Sequence, residues 1–345
     1  MKYVLGMSGG VDSSTSAAIL KNKGHEVIGC TLKIFDSPKM EASIADAQKV
    51  AAFLGIKHEV VDCVADFKKY VIDYFTNSYK NGQTPNPCVM CNENVKFKFL
   101  EQFRRKHEAD FLATGHYVNL NREGERLMLK PAKDPRRDQS YFLYAVDREI
   151  LLHAEFVLGN FEKSETRALA KQLGIPVAEK KDSQDICFIP NNDYVAYLRE
   201  NLRNPCDFCC KKGHIVTEDG KILGDHDGII EYTVGQRKGL GLCGGPFFVK
   251  ELDAARNAVV VTDHDGIKVN SIDLSDVKFL NGEFIGDCLV KYRSSGRKIK
   301  AEILKNANSY VVKLAAPEFG VAKGQHCVFY LDDCVVGGGV IRKAA

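Results

Sequence analysis

Three groups of residues in this chain have the types and spacing to do chemistry. The first is Gly6-Met7-Ser8-Gly9-Gly10-Val11-Asp12-Ser13-Ser14, almost at the start. Glycines let a backbone curl so that successive N–H groups point inward, and a helix N-terminus adds partial positive charge. Ser8, Ser13 and Ser14 offer hydroxyl donors, so the stretch has the makings of a phosphate site. No Lys follows the last Gly as in the Walker A pattern, and the dinucleotide G-x-G-x-x-G is absent. On loop chemistry alone, a tight strand-to-helix turn is an equal reading. The second group is the pair Cys88-Val89-Met90-Cys91, and the third is Cys187. A C-x-x-C pair reads as a redox dithiol, half of a metal site, or coincidence; a structural zinc would want four ligands. Asn92 reads as the cap of the following helix, which would put Cys91 just before a helix N-terminus, where a thiol's pKa falls.

These groups need a frame. Tyr3-Val4-Leu5, Glu26–Leu32, His58–Asp62 and Phe111–Gly115 read as buried strands. Between them Thr15–Leu20, Ala42–Leu54 and Phe67–Tyr79 carry helical spacing, with Gly24 and Gly55 as stops. Strands alternating with helices predict a parallel sheet covered on both faces, with ligands at the strands' carboxyl ends. The glycine-serine loop, Leu32 and Gly115-His116 all fall at such ends. Two prolines hold Thr84-Pro85-Asn86-Pro87 extended ahead of Cys88. Asp147–Gly174 and Asn192–Leu202 read as helical. Gly213–Val249 alternates short β patterns with glycine turns, and from about Ser271 the segments become those of a small antiparallel barrel.

The whole-chain numbers set bounds. A length of 345 residues suits two or three domains. A formal net charge of +3 is weak evidence for an acidic partner, since nucleic-acid-binding domains are usually more basic. No apolar run spans a bilayer and no signal peptide is evident, so a cytoplasmic chain without a membrane partner is expected. Twelve cysteines in a reducing compartment point to metal or sulfur chemistry rather than structural disulfides. Cys30, Cys63, Cys288 and Cys327 lie in apolar runs and read as core filling. Cys206-Asp207-Phe208-Cys209-Cys210 could hold zinc with a distant fourth ligand such as Cys243 or His214; an incidental turn is the stronger reading, because no second pair stands at zinc-finger spacing.

The string S-G-G-V-D-S-S resembles the pyrophosphate loop (PP-loop) of enzymes that adenylate an oxygen with ATP. T-P-N-P-x-x-x-C-N-x-x-x-K-F at 84–97 resembles the active loop of the tRNA-specific 2-thiouridylases. In order follow Ala113-Thr114-Gly115-His116-Tyr117, Asp138–Leu143, Lys181–Ile189, Glu231–Gly241 and Gly337-Gly338-Gly339, so the resemblance runs through essentially the whole chain.

The resemblance implies an α/β fold: a parallel-sheet PP-loop domain of the adenine nucleotide alpha hydrolase type over 1–203, a small central β-rich domain over 204–270, and a C-terminal antiparallel β-barrel over 271–345 that binds tRNA. It implies that ATP, with Mg2+, adenylates O2 of the wobble uridine (position 34) of tRNA. A cysteine persulfide then delivers sulfur to C2 and AMP leaves. Cys91 matches the family's nucleophile and Cys187 its persulfide carrier, the two passing through a disulfide. Gly6, Met7, Ser8, Gly9, Gly10, Val11, Asp12, Ser13, Leu32 and Gly115 would bind ATP. Asn86, Pro87, Cys88, His116, Arg137, Asp138, Gln139, Lys291, Tyr292 and Gln325 would contact tRNA, with the target base flipped out of its stack. The expected tRNAs are the Lys, Glu and Gln acceptors, and the sulfur donor a cysteine desulfurase or relay protein.

Cys88 departs from the family's usual Asp. It could serve as acid/base only as a thiol of suitable pKa. As a soft ligand it could join Cys91 and Cys187 around a 4Fe-4S cluster with one iron open. Both routes stay open on sequence, the persulfide route being the family's. Lys291, Tyr292, Arg293, Arg297, Lys298 and Lys300 read as one basic, aromatic-bearing face suited to RNA. Gln236-Arg237-Lys238-Gly239 reads as a solvated hairpin or a clamp on RNA phosphates. Two other classes remain: another PP-loop ligase, which leaves the cysteines without work, and a non-enzymatic cysteine-rich metal- and RNA-binding protein, which wastes the ATP loop.

Overall fold

The computed structural model describes residues 1–182, 186–202, 208–307 and 309–345. Its first layer is a five-stranded, wholly parallel sheet in the order β3-β2-β1-β4-β7, with β1 (Lys2–Gly6), β2 (Glu26–Lys33), β3 (Lys57–Asp62), β4 (Phe111–Thr114) and β7 (Ala154–Phe156). Val4, Leu5, Ile28, Cys30, Leu112 and Ala113 are each at most 3% exposed, because helices cover both faces. The register sets Gly6 opposite Cys30 and Thr114, so the carboxyl ends of the three central strands line up.

The expected helix over 147–174 is interrupted. It consists of a short helix Arg148–Leu151, strand β7 and a helix Lys163–Gln172 that starts at a Glu162/Glu165 capping box. Ala154 pairs with Leu112 on β4, and that tertiary pairing overrides the Leu/Phe spacing that reads as helical. A hairpin of β5 (Asn119–Glu123) and β6 (Arg126–Lys130), with no sequence expectation behind it, leaves the first layer altogether.

A small sheet in the order β10-β11-β8-β9 follows, from β8 (Gly213–Thr217), β9 (Ile222–His226), β10 (Phe248–Asp253) and β11 (Ala258–Thr262). Its Ile215, Val249 and Val259 share one apolar cluster with Phe67, Phe75, Cys91 and Phe188. The remaining strands are β12 (Val269–Phe279), β13 (Gly286–Lys291), β14 (Ile299–Asn306), β15 (Ser309–Glu318), β16 (His326–Leu331) and β17 (Cys334–Ala344). They run in the order β12-β15-β14-β13-β16-β17, and an antiparallel β12–β17 pairing closes them into a six-stranded barrel. β6 pairs with β17 through Leu129 and Val335, so the hairpin of the first layer joins the barrel's sheet. Leu127, Leu129 and Tyr141 pack in one cluster with Val328, Tyr330 and Val335 of the barrel. Cys30, Cys63, Cys288 and Cys327 are all buried, as their apolar settings suggest.

Candidate functional site

The strand ends open into a cleft of about 1220 Å³. Gly6, Met7, Ser8, Gly10, Val11, Asp12, Ser13, Leu32 and Gly115 line it, together with Cys91, Cys187, His116, Arg137, Asp138 and Gln139. Gly9, Asn86, Pro87, Cys88, Lys291, Tyr292 and Gln325 do not.

The phosphate loop joins β1 to the helix Val11–Asn22. Gly9 adopts φ +66°, and a Cβ on it would fall 2.2 Å from the Ser43 carbonyl oxygen, so only Gly serves there. Gly115 lets the end of β4 close on the loop: a Cβ would lie 2.7 Å from the Ser13 nitrogen. Ser13 Oγ accepts from the Ser8 N–H at 3.2 Å and sits 3.3 Å from Ser8 Oγ, which draws the loop in. Ser14 is fully buried and its hydroxyl donates to the Gly10 carbonyl at 2.8 Å; the turn of helix it occupies points it away from the cleft, contrary to the expectation of a third hydroxyl donor.

Asp12 is held from the side. Lys163 Nζ lies 2.7 Å from each of its carboxylate oxygens, and Tyr117 donates its hydroxyl to Oδ1 at 2.8 Å. The same ammonium pairs with Asp182 at 2.8 Å, which Arg167 and Arg137 also reach at 2.6 and 3.2 Å. Burial raises the Asp182 carboxyl, yet Lys163, Arg167 and Arg137 outweigh it and leave the pKa below the ordinary value. Lys180 donates to the Gly9 carbonyl at 3.0 Å and pairs with Asp46 at 2.6 Å. Lys163, Asp182 and Lys180 are the residues that sequence reasoning passed over. Lys163 carries no local signal beyond a helix start, whereas Asp182 and Lys181 stood inside a quoted motif without a role.

The thiols are placed by a helical run over 87–106. Its cap is Asn86, whose side chain accepts from the Val89 N–H, with Pro87 at the first helical position. Asn92 is therefore not the cap: its amide donates to the Phe142 carbonyl at 3.1 Å from inside the helix. Cys91 closes the first turn instead of preceding it, and the expected lowering of its pKa does not occur. Burial pushes the Cys91 and Cys88 thiols up, against the pull of Lys96. Cys187 is pushed up to about 12, first by burial and then by Cys91 and Cys88, so the three stand close enough to feel one another. Cys88 and Cys187 do present surface to solvent, but crowding by protein around the sulfurs sets their acidity. All three are free thiols. Among the described residues no three His, Cys, Asp or Glu side chains are gathered so as to hold a single metal ion.

His116 is buried against Phe97, with Nδ1 2.7 Å from Thr114 Oγ1; burial, then Lys96, holds its pKa well below the usual histidine range. Asp138 accepts from the Ala132 and Ser140 N–H groups and the Ser140 hydroxyl, and Gln139 exchanges bonds with Tyr117. The basic run at 291–300 does not form one face. Tyr292, just past the end of β13, is turned inward, 7% exposed, and donates to Glu318 at 3.0 Å. Lys291 is half-buried, its ammonium 5.9 Å from the centre of the Tyr141 ring. Arg297 pairs with Glu318 and Lys298 with Asp333. Gln325 donates to the Thr84 and Pro85 carbonyls at 3.0 and 3.2 Å. Cys209 is buried with its sulfur 3.9 Å from that of Cys210, and Cys206 lies outside the described residues.

Residues 1–191 match the family model described as the tRNA methyl transferase HUP domain, 208–263 the tRNA methyl transferase PRC-barrel domain, and 269–341 the aminomethyltransferase beta-barrel domain. The chain is 43% identical over 355 residues to the tRNA-specific 2-thiouridylase MnmA of Pelobacter propionicus, covering 100% of this chain and 98% of the relative. It is 42% identical over 368 residues to the protein of the same name from Brucella melitensis, covering 99% and 90%. For that of Bradyrhizobium diazoefficiens the values are 42% over 370 residues, 100% and 92%. The model descriptions speak of methyl transfer and the full-length relatives of thiolation. A phosphate loop facing two thiols across one cleft suits the second chemistry.

Proposed function

The chain belongs to the tRNA-specific 2-thiouridylase family, and from that membership we infer that it is an ATP-dependent sulfurtransferase that converts a uridine of tRNA to 2-thiouridine. The observation that carries this reading is the shared cleft: Ser8, Gly10, Asp12 and Ser13 line one part of it, Cys91 and Cys187 another.

The finer steps are our proposal. A uracil C2 oxygen is a poor leaving group, and adenylation turns it into AMP. The C2 oxygen attacks the α-phosphorus of ATP and pyrophosphate departs into the Gly6–Ser13 loop, whose backbone N–H groups and helix N-terminus suit an anion. Cys187 carries a persulfide loaded by a cysteine desulfurase or a relay protein. Its outer sulfur attacks C2, and AMP leaves. Cys91 then attacks the inner sulfur, which leaves the outer sulfur on C2 and a Cys91–Cys187 disulfide. A thiol reductant supplying two electrons restores both thiols. Lys96 favours the thiolate at all three cysteines, and Lys39 adds to it at Cys187. The target is the wobble uridine of the Lys, Glu and Gln acceptors, and the reaction takes place in the cytoplasm. No helix among the described residues is long and apolar enough to cross a membrane. Mg2+ would come with the ATP phosphates and water, because Lys163 already takes both oxygens of Asp12. We place Asn86, Pro87 and Cys88 near the flipped base and His116, Arg137, Asp138, Gln139 and Lys291 along the tRNA path, with Gln325 holding the root of the cysteine loop instead. We favour the persulfide over the cluster because it is the route the family resemblance implies.

Incubation with ATP, a sulfur donor and tRNA, followed by nuclease digestion, tests the reading. We expect 2-thiouridine and AMP in equal amounts. AMP without 2-thiouridine would point to another PP-loop ligase, and neither product to a binding protein.

A further inference from the structure

We infer that Lys163 is a positioning residue that ties the nucleotide end of the cleft to the segment carrying Cys187, an inference that rests on the sulfur-transfer reading above. Asp12 stands in the first turn of the helix behind the phosphate loop, and Asp182 stands at the head of the segment that leads to Cys187. The Lys163 ammonium reaches both: 2.7 Å to each oxygen of Asp12 and 2.8 Å to Oδ1 of Asp182. An ammonium has three N–H donors, and these three acceptors use them all. The Lys163 side chain is 9% exposed and lines the cleft.

A role in fold stability alone does not account for this. Desolvating two carboxylates and an ammonium offsets much of their attraction, so a buried ion network is weak evidence for stability. Its placement suits the reaction better. A triphosphate arriving beside a bare Asp12 would meet a like charge, and Lys163 cancels it. Phosphate oxygens that enter next to Asp12 then compete for the same ammonium. Any shift of Lys163 is felt at Asp182, whose remaining partners are Arg167 and Arg137. Nucleotide occupancy therefore has a route through the Lys163 ammonium to Asp182, beside the Lys180 bond to the Gly9 carbonyl of the loop.

The test uses the full chain as wild type and as Lys163→Met, Lys163→Arg and Asp182→Asn. Two quantities are measured: tRNA-dependent pyrophosphate release from ATP, and the rate of Cys187 alkylation by iodoacetamide with and without a non-hydrolysable ATP analogue. In the wild type the analogue should change the alkylation rate at Cys187. Lys163→Met should cut that response several-fold and slow pyrophosphate release by about a hundredfold, the scale of one lost electrostatic contact in an active site. Lys163→Arg should recover part of the release. Asp182→Asn should cut the alkylation response as far as Lys163→Met does while releasing more pyrophosphate. An alkylation response in Lys163→Met or Asp182→Asn equal to the wild type's, or none in the wild type, overturns the inference. A wild type that releases no pyrophosphate with tRNA overturns the ATP reading along with it. Release by Lys163→Met equal to the wild type's overturns the role of Lys163 alone.

Discussion

Gln325 of the barrel ties the carbonyl of Thr84 to itself at 3.0 Å, two residues before Asn86 caps the helix that carries Pro87 and Cys88. The neighbouring contacts point the same way. Thr84 donates its N–H to the Lys323 carbonyl at 2.8 Å, and Gly324, at φ +89°, has no room for a Cβ, which would lie 2.9 Å from that of Gln83. The barrel thus holds the root of the cysteine loop. Gln325→Ala should slow 2-thiouridine formation by about tenfold with tRNA affinity nearly unchanged, since misplacement of a reacting group costs rate rather than binding. A matching fall in affinity, read by filter binding, would return Gln325 to the role of a tRNA contact.

Cys187→Ser and Cys91→Ser should each abolish 2-thiouridine. Adenylation needs neither thiol, so a first turnover of pyrophosphate should survive in both. Rapid-quench assays with labelled ATP would show it. Thiolation persisting in Cys187→Ser would remove the two-cysteine route.

Gly115→Ala should weaken ATP binding. The added Cβ would sit 2.7 Å from the Ser13 nitrogen and 3.0 Å from the Asp12 carbonyl carbon, backbone that cannot yield cheaply. We expect the KM for ATP to rise about tenfold, with a loss of about 1–3 kcal/mol in stability from overpacking. An unchanged KM would mean that the loop does not hold the nucleotide.

His326 gives the fold a pH dependence of definite sign. Burial holds its pKa at about 4, from an ordinary 6.5, with Nδ1 2.7 Å from the Tyr144 hydroxyl and Nε2 without a hydrogen-bond partner among the described residues. The unfolded chain takes up a proton below 6.5 and the folded chain only near 4, so stability is full above pH 6.5 and falls as the pH drops toward 4. The loss amounts to about 3 kcal/mol for one group. His58, His116 and His226 are shifted the same way and add to the slope. In urea unfolding at pH 7.5 and 5, His326→Asn should lose less stability between the two than the wild type does.

Positions that strand order aligns were legible, and those joined only by side-chain contacts between distant segments were not. The β1 loop, Leu32 and Gly115 could be set at one sheet edge from strand order alone, because a parallel sheet aligns its carboxyl ends. Asn86 and Asn92 both stand before helical sequence, and only Pro87 at the first helical position marks Asn86 as the cap. β7 was hidden in a helical pattern because its three residues owe their conformation to β4. Lys163 could not be found at all: it lies 151 positions from Asp12, and no spacing announces a partner that distant. The basic run at 291–300 spans the turn between β13 and β14, and no local spacing shows that Tyr292 is buried there or that Arg297 and Lys298 pair with Glu318 and Asp333.

The pairing of Leu129 with Val335 has a consequence for synthesis. The hairpin β5–β6 emerges from the ribosome early and finds its sheet neighbour only when β17 has been made. At ~5–20 residues per second, the apolar side of that hairpin waits many seconds for its cover. The cleft can form locally from β1, β2 and β4, whereas the mount that carries it is completed last. A chain truncated before β17 should therefore reach the cell as a client of chaperones rather than as a smaller working enzyme.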